Sequence, residues 1–499
     1  MMGGNMSDNL FAHLNDDNQK VALTEGDQRY SYAQLNQHIN YCASGLLNGS
    51  DDLNEERIAF FMPASFNYVT TLHSIWRAGG IAIPLNVAST NNELEHYLSS
   101  AGVTRLIANA QYHEQLRPLC EAMAITLLAD QDIIADVTVR LPDIASDRRA
   151  MMLFTSGTTS KPKGVVSTHK TIHAQISTLV TAWDWTDSDV IPLFLPMHHI
   201  HGIINILSCG LSAGATVDLF GRFDIGVICQ KVAAGHYSVF MAVPTIYVKL
   251  IQHFETLEPA QIKRVCSGFN EMRLNISGSA ACPVKLFEQW RTLTGQVLLE
   301  RYGMTEIGMG IANPYDGQRR AGYVGQPLEG VVAALFDEDD KQIDEPNTPG
   351  EIRIKGDNVF LEYWNNAKAT RESFNDGWFC TGDVAVIEEG YYKIMGRASI
   401  DIIKSGGYKL SALEIEGTLL THEAIAEVAI IGIPDPLWGE AVMAFVGLKA
   451  NQSLDYNELK SWCNGKMSAY KIPKALKIID SLPRNAMGKV TKTALKDLL

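Results

Sequence analysis

Leu153-Phe154-Thr155-Ser156-Gly157-Thr158-Thr159-Ser160-Lys161-Pro162-Lys163-Gly164-Val165-Val166 is the stretch on which the reading of this chain turns. An apolar run enters it and a β-branched pair leaves it, so it reads as strand, polar loop, strand. Between Thr155 and Gly164 lie five hydroxyl side chains, two glycines and two lysines. Backbone N–H groups freed by glycine, hydroxyl donors and two ammonium groups together suit a polyphosphate, with its many acceptor oxygens and several negative charges. A Walker A loop is excluded, because no Gly-Lys-Ser/Thr follows at the required spacing and Pro162 removes an N–H where that loop would begin its helix. The competing reading is a flexible turn of small polar residues. Two lysines and a proline inside a hydroxyl run between apolar strands favour the phosphate grip.

Working outward, 499 residues exceed what one hydrophobic core usually organises, so at least two domains are expected. The net charge of −14 argues against nucleic acid or an anionic membrane as the main partner. No stretch is long and apolar enough to span a bilayer. The opening MMGGNMSDNLFAHLNDDNQ lacks a basic flank before an apolar core and contains no Arg, so neither a secretory nor a mitochondrial signal fits. Eight cysteines stand singly, without CxxC or zinc spacing, as small buried residues of a reducing compartment do. The cytoplasm is the expected location.

From Val21 to about Val139 strands and helices alternate. A hairpin near Lys20 to Ala33 precedes a helix from Tyr32 to Leu47 and a strand from Arg57 to Met62. A helix from Ser65 to Ala78 ends at Gly79-Gly80 before the buried strand Ile81 to Leu85. Asn91-Asn92-Glu93 is expected to cap a helix that Gly102 ends before the strand Arg105-Leu106-Ile107. Repeated βα units imply a parallel sheet covered by helices, and a second series occupies about 170 to 310. After about Gly322 short strands and acidic turns predict a compact β subdomain. Beyond Gly396-Arg397 a further small α/β unit is expected, its boundary between Arg397 and Asp401.

Three later segments gain meaning beside the opening loop. Glu300-Arg301-Tyr302-Gly303-Met304-Thr305-Glu306 offers an aromatic face for a base, a hydroxyl for a phosphate and a carboxylate for a divalent cation. Trp378-Phe379-Cys380-Thr381-Gly382-Asp383 ends in a carboxylate placed after a tight turn, as a ribose-hydroxyl acceptor would be. Pro483-Arg484-Asn485-Ala486-Met487-Gly488-Lys489 sets one lysine on a glycine turn. Taken singly, these read equally as a core tyrosine, a turn aspartate and a solvated lysine.

Together and in this order the segments resemble the adenylate-forming superfamily of acyl-CoA synthetases, luciferases and peptide-synthetase adenylation domains, over about Val21 to Lys492. The resemblance implies an α/β fold with a large N-terminal domain, 1–396, of βα-layered sheets plus a β subdomain, and a small mobile α+β C-terminal domain, 397–499. It implies ATP, Mg²⁺ and coenzyme A. By it, Thr155, Ser156, Gly157, Thr158, Thr159 and Lys163 belong to the ATP phosphate loop, and Gly278-Ser279-Ala280 lines adenine and acyl group. Tyr302, beside Gly303, stacks on adenine; Thr305 contacts phosphate; Glu306 ligates the metal. Asp383 and Arg397 hold the ribose, and Lys489 contacts the carboxylate and α-phosphate during adenylation. The implied hinge is Ser399 or Asp401, in a segment one residue longer than the commonest pattern. Gly406 and Gly407 resemble the turn that faces the thiol tunnel, and Lys404 beside them is taken as a further binding residue.

For the acid itself, Arg301 stands where many relatives that bind apolar acids carry a small or neutral residue. A buried guanidinium there is costly unless a carboxylate meets it. Lys249, after Val243-Pro244-Thr245, adds a second cation, and His198, His199 and His201 form a cluster in which metal binding is weighed against packing of His201 near the acyl group. With Asn313-Pro314-Tyr315-Asp316-Gly317 these segments look most like malonyl-CoA synthetases, which implies a small dicarboxylic acid, malonate or methylmalonate. The rival for Arg301 is a structural ion pair with Glu300 or Glu306, and for Lys249 a solvated helix lysine. Rival functions are a fatty acid–CoA ligase, a free-standing enzyme loading a carrier-protein thiol, and a non-catalytic nucleotide-binding protein. Oligomeric state is not legible.

Overall fold

A computed structural model describes residues 10–155, 162–405, 408–484 and 490–499. The hairpin around the phosphate loop is built as read: Arg149–Thr155 pairs antiparallel with Lys163–Thr168, Thr155 opposite Lys163. It stands at one side of a seven-stranded sheet. Beyond it, Ile81–Pro84, Arg57–Phe61, Arg105–Ala108 and Thr126–Ala129 continue in parallel, while Glu362–Tyr363 closes the other edge antiparallel. Ile58 and Phe60 face one core cluster, Ala59 and Phe61 another. Burial on both faces is why these strands lack alternation and read as continuous apolar runs.

Local signals place the helices well. Tyr32–Leu47 starts at Ser31, whose hydroxyl accepts the Gln34 N–H, and Phe66–Arg77 starts at Ser65 in the same way. One boundary differs. The Asn91–Ala101 helix is capped by Thr90, not by the Asn pair, because Thr90 and Glu93 form a reciprocal capping box.

Two further sheets extend the large domain. Val21–Glu25 lies beside Thr216–Leu219, which lies beside Val190–Leu193. Val239–Ala242, Leu274–Ser277 and Leu299–Met304 run parallel before Gly308–Ala312 turns back. The antiparallel β subdomain spans Val332–Phe336 to Tyr391–Arg397. Within it Asp383 does not follow a free-standing turn; it lies inside the long strand Trp378–Glu388. The last sheet carries Ile402–Ser405, Tyr408–Ser411, Ile425–Asp435, Gly439–Leu448 and Ala475–Ile478. The core of this small C-terminal domain runs from Ile403 to Leu495, whereas the buried residues of the two larger clusters end at Tyr392 and at Val166.

Candidate active site

One side of the site is assembled by strand register. Asp383 and Arg397 are directly opposed on neighbouring antiparallel strands, and Arg397 Nε donates to Asp383 Oδ1 at 3.1 Å. Tyr302, on Leu299–Met304, donates its hydroxyl to the other oxygen, Oδ2, at 2.6 Å. Burial raises the Tyr302 phenol well above its ordinary value and the Asp383 charge adds to that, so the hydroxyl stays a donor. Gly303 sits at the irregularity after Tyr302, where the pairing with Gly308–Ala312 slips register. The chain then turns through Thr305, half-buried, to Glu306, which is buried.

Glu306 accepts the Tyr363 hydroxyl at 2.9 Å on Oε1, and the Lys163 ammonium lies 4.8 Å from the centre of the same tyrosine ring. Burial pushes the Glu306 carboxyl up. Tyr363 went unread in the sequence, because it lies 57 residues downstream on a two-residue strand and is brought in only by pairing with Lys163–Thr168. Among the described residues no group of three or more His, Cys, Asp or Glu side chains could hold a metal ion. A single buried carboxylate fits Mg²⁺, which completes its shell with phosphate oxygens and water.

The other side centres on Arg301, 3 % exposed, with Nε and Nη2 lacking any partner among the described residues. Its Nη1 donates to Ser279 Oγ at 3.3 Å. The ion pair with Glu300 or Glu306 weighed above is not formed. Glu300 lies buried on the same strand and accepts the Gly322 N–H at 3.1 Å, burial pushing it up to about 8. Burial pulls Arg301 down to about 9. Gly278 makes the site possible: a Cβ there would stand 2.6 Å from the Arg301 guanidinium carbon.

Ser279 holds φ at +66°, a left-handed conformation that a non-glycine residue adopts at a cost. Its Oγ lies 3.1 Å from His201 Nδ1. Because that oxygen already accepts from Arg301, its hydrogen is free for Nδ1, which leaves the His201 proton on Nε2. Burial and the neighbouring Arg301 charge hold His201 neutral, and Nε2 has no partner among the described residues. His201 opens the buried segment His201–Ser208, wound as a π-helix, a rare geometry frequent at functional sites. Ala280 is exposed next to Ser279.

One expectation is corrected by placement. Lys249 is exposed on the helix Pro244–Phe254, since Ile246, Tyr247, Leu250 and Phe254 form its buried stripe and 249 falls between their turns; it is not buried beside Arg301. Lys404 is also exposed, its ammonium 3.1 Å from Glu338 of the β subdomain, which Lys409 shares at 2.9 Å. Ser156, Gly157, Thr158, Thr159, Gly406, Gly407 and Lys489 lie outside the described residues.

The model of the AMP-binding enzyme family matches residues 10–364, and that of the AMP-binding enzyme C-terminal domain residues 414–489. A mitochondrial malonate–CoA ligase of Mus musculus is 40% identical over 478 residues, covering 89% of this chain and 82% of its own. A malonate–CoA ligase of Arabidopsis thaliana is 35% identical over 539 residues, covering 98% and 88%. The crystal structure of ATP-bound MatB from Rhodopseudomonas palustris superposes with a TM-score of 0.89 at 32% identity, covering 98% of each chain. With an aromatic, a carboxylate and a guanidinium converging on one side and an uncompensated cation on the other, the chain belongs to the AMP-binding enzyme family.

Proposed function

We propose that this protein is an AMP-forming acid–thiol ligase that converts malonate, ATP and coenzyme A to malonyl-CoA, AMP and pyrophosphate. The observation that carries the substrate is Arg301, a buried guanidinium that has two unpartnered nitrogens and no carboxylate partner among the described residues. Such a group is strongly unfavourable alone and suits bidentate capture of a second carboxylate. The names of the mouse and Arabidopsis relatives agree with that reading.

In the first half-reaction a malonate oxygen attacks the α-phosphorus of ATP, and the bond to pyrophosphate breaks. In the second the thiol displaces AMP. A carboxylate oxygen is a poor leaving group and AMP a good one, so the two steps replace one difficult displacement. Tyr302 offers its ring to adenine, and Asp383 with Arg397 the ribose grip. Thr155, Lys163, Thr305 and the loop residues Ser156, Gly157, Thr158 and Thr159 are proposed to hold the phosphates. Glu306 would hold Mg²⁺, which neutralises phosphate charge when bound. Neutral His201 donates from Nε2 toward the acyl carboxylate. Lys489 is assigned to the α-phosphate, and Lys404, Gly406 and Gly407 to the thiol approach. The separate core beyond Ile403 supports a boundary at 396/397.

No helix among the described residues is long and apolar enough to cross a membrane. We place the protein in a reducing compartment, the described cysteines being unpaired, with the cytoplasm expected; fractionation distinguishes this from the mitochondrial setting named for the mouse relative. The test of function is pyrophosphate release over a panel of mono- and dicarboxylic acids with Mg·ATP, with and without coenzyme A. Malonate should lead the panel. A preference for octanoate, or release that leads to no thioester when coenzyme A is added, overturns the reading.

A further inference from the structure

Where the β subdomain meets the last sheet, three charged side chains are buried together. Lys492, 10 % exposed and the first residue of the helix Lys492–Lys496, places its ammonium 2.6 Å from Asp401 Oδ1 and 2.6 Å from Glu416 Oε1. The carboxylates are themselves only 16 % and 13 % exposed. Asp401 Oδ2 accepts the backbone N–H of Arg397 at 3.0 Å, and the Asp401 N–H donates to the Arg397 carbonyl at 2.7 Å, so residues 397–401 close into one turn. A Cβ at Gly396 would stand 2.3 Å from Asp401 Cβ, which shows how tightly this turn folds back on its entry. Glu416 is held in turn by the Ile430 N–H at 2.7 Å.

A buried cluster of one ammonium and two carboxylates is a weak source of stability, because desolvation offsets most of the attraction and an apolar trio of similar volume does as well. What it supplies is geometry. The side chain of Arg397, whose backbone the Asp401 carboxylate grips, reaches the other way to Asp383, which also accepts from Tyr302. One unbroken chain of hydrogen bonds therefore runs from Tyr302 through Asp383, Arg397 and Asp401 to Lys492.

We infer that Lys492 is a positioning residue for nucleotide binding: through Asp401 it fixes the turn that presents the Arg397 guanidinium to the sugar of AMP and ATP. This rests on the reading of Asp383 and Arg397 as the ribose grip. The two carboxylates keep Lys492 charged despite its burial, so the contact is ionic.

The test measures AMP affinity by calorimetry and the Michaelis constants for ATP and malonate in the pyrophosphate-forming half-reaction, for Arg397→Ala, Lys492→Met, Lys492→Arg and Asp401→Asn. AMP affinity should fall about tenfold in Lys492→Met and Asp401→Asn, the constant for ATP rising in parallel. The constant for malonate should stay within about twofold, and Lys492→Arg should recover most of the loss, an ammonium-to-guanidinium exchange conserving the charge. Unchanged AMP affinity in Arg397→Ala would sink the ribose reading and the inference with it. If Arg397→Ala weakens AMP but Lys492→Met and Asp401→Asn do not, the tie alone is wrong. Equal rises for ATP and malonate, or failure of both Lys492→Met and Asp401→Asn to fold, would mean a purely structural network and also overturn it.

Discussion

A guanidinium enclosed by protein, with two nitrogens unpartnered among the described residues, is held there by its neighbours against a large desolvation cost. That makes Arg301 the residue through which substrate charge should act. Arg301→Leu removes the cation but keeps the bulk, so the Michaelis constant for malonate should rise at least tenfold while that for ATP is nearly unchanged. Malonate use that survives intact would dismiss the assignment. Glu300, next in the chain, makes a stability prediction. Its folded-state pKa is about 8 against an ordinary 4.5, so the folded protein keeps a proton that the unfolded chain releases. The contribution is complete below the unfolded value and is lost as pH rises toward 8. The unfolding free energy from urea titrations should therefore fall between pH 5 and 8, by an amount on the order of a few kcal/mol, and Glu300→Gln should flatten that slope. An unaltered slope in the Gln variant would place the titration elsewhere. In sequence Arg301 stood out before Tyr302, and Glu300 only as a candidate partner for it. That Glu300 stays apart from Arg301 and takes a backbone N–H from Gly322 was not visible there, since side-chain surroundings depend on which strands lie next to the pair.

Elements carried the most legible information. Apolar runs on either side of a polar loop located the hairpin Arg149–Thr155 and Lys163–Thr168, and the expected bounds of Tyr32–Leu47 and Phe66–Arg77 agree with the structure to within a residue. Strand order was not legible. Nothing in Val21–Glu25 points to Thr216–Leu219, almost two hundred residues away, because any apolar strand offers the same backbone donors and acceptors. The same limit hid Tyr363. At this scale belongs the junction of Leu274–Ser277 and Leu299–Met304, where Gly278 lets the two chains approach across Arg301. Gly278→Ala should push the guanidinium aside, lowering kcat/KM for malonate at least tenfold while the thermal midpoint moves by only a few degrees. Wild-type kinetics in that variant would show that the guanidinium relocates without consequence.

For the whole molecule the issue is two half-reactions served by one bed. The small sheet after Ile403 has its own core and meets the β subdomain partly through Glu338 with Lys404 and Lys409, exposed pairs of the kind that are individually weak and easily exchanged. Rotation about residues near 399–401 would let different groups face the reaction in turn. Lys489→Ala should then lower adenylation by roughly 100- to 1000-fold, the loss of one charge-stabilising donor, and spare thioester formation from supplied malonyl adenylate. Equal loss of both steps would remove Lys489 from its proposed role.

The amino-acid sequence by itself determined the class of protein. Hydroxyls, glycines and lysines at Thr155 to Gly164, and the carboxylates and lysine that follow, are local patterns whose chemistry is carried by side-chain type and spacing. Only the tertiary structure decided which charges are compensated. It left Arg301 without a carboxylate among the described residues, turned Lys249 to solvent, set Tyr363 on Glu306 and buried Lys492 between Asp401 and Glu416. Burial and partnership are set by contacts between segments far apart in the chain, and the cost of a charge depends on those contacts rather than on its neighbours in sequence.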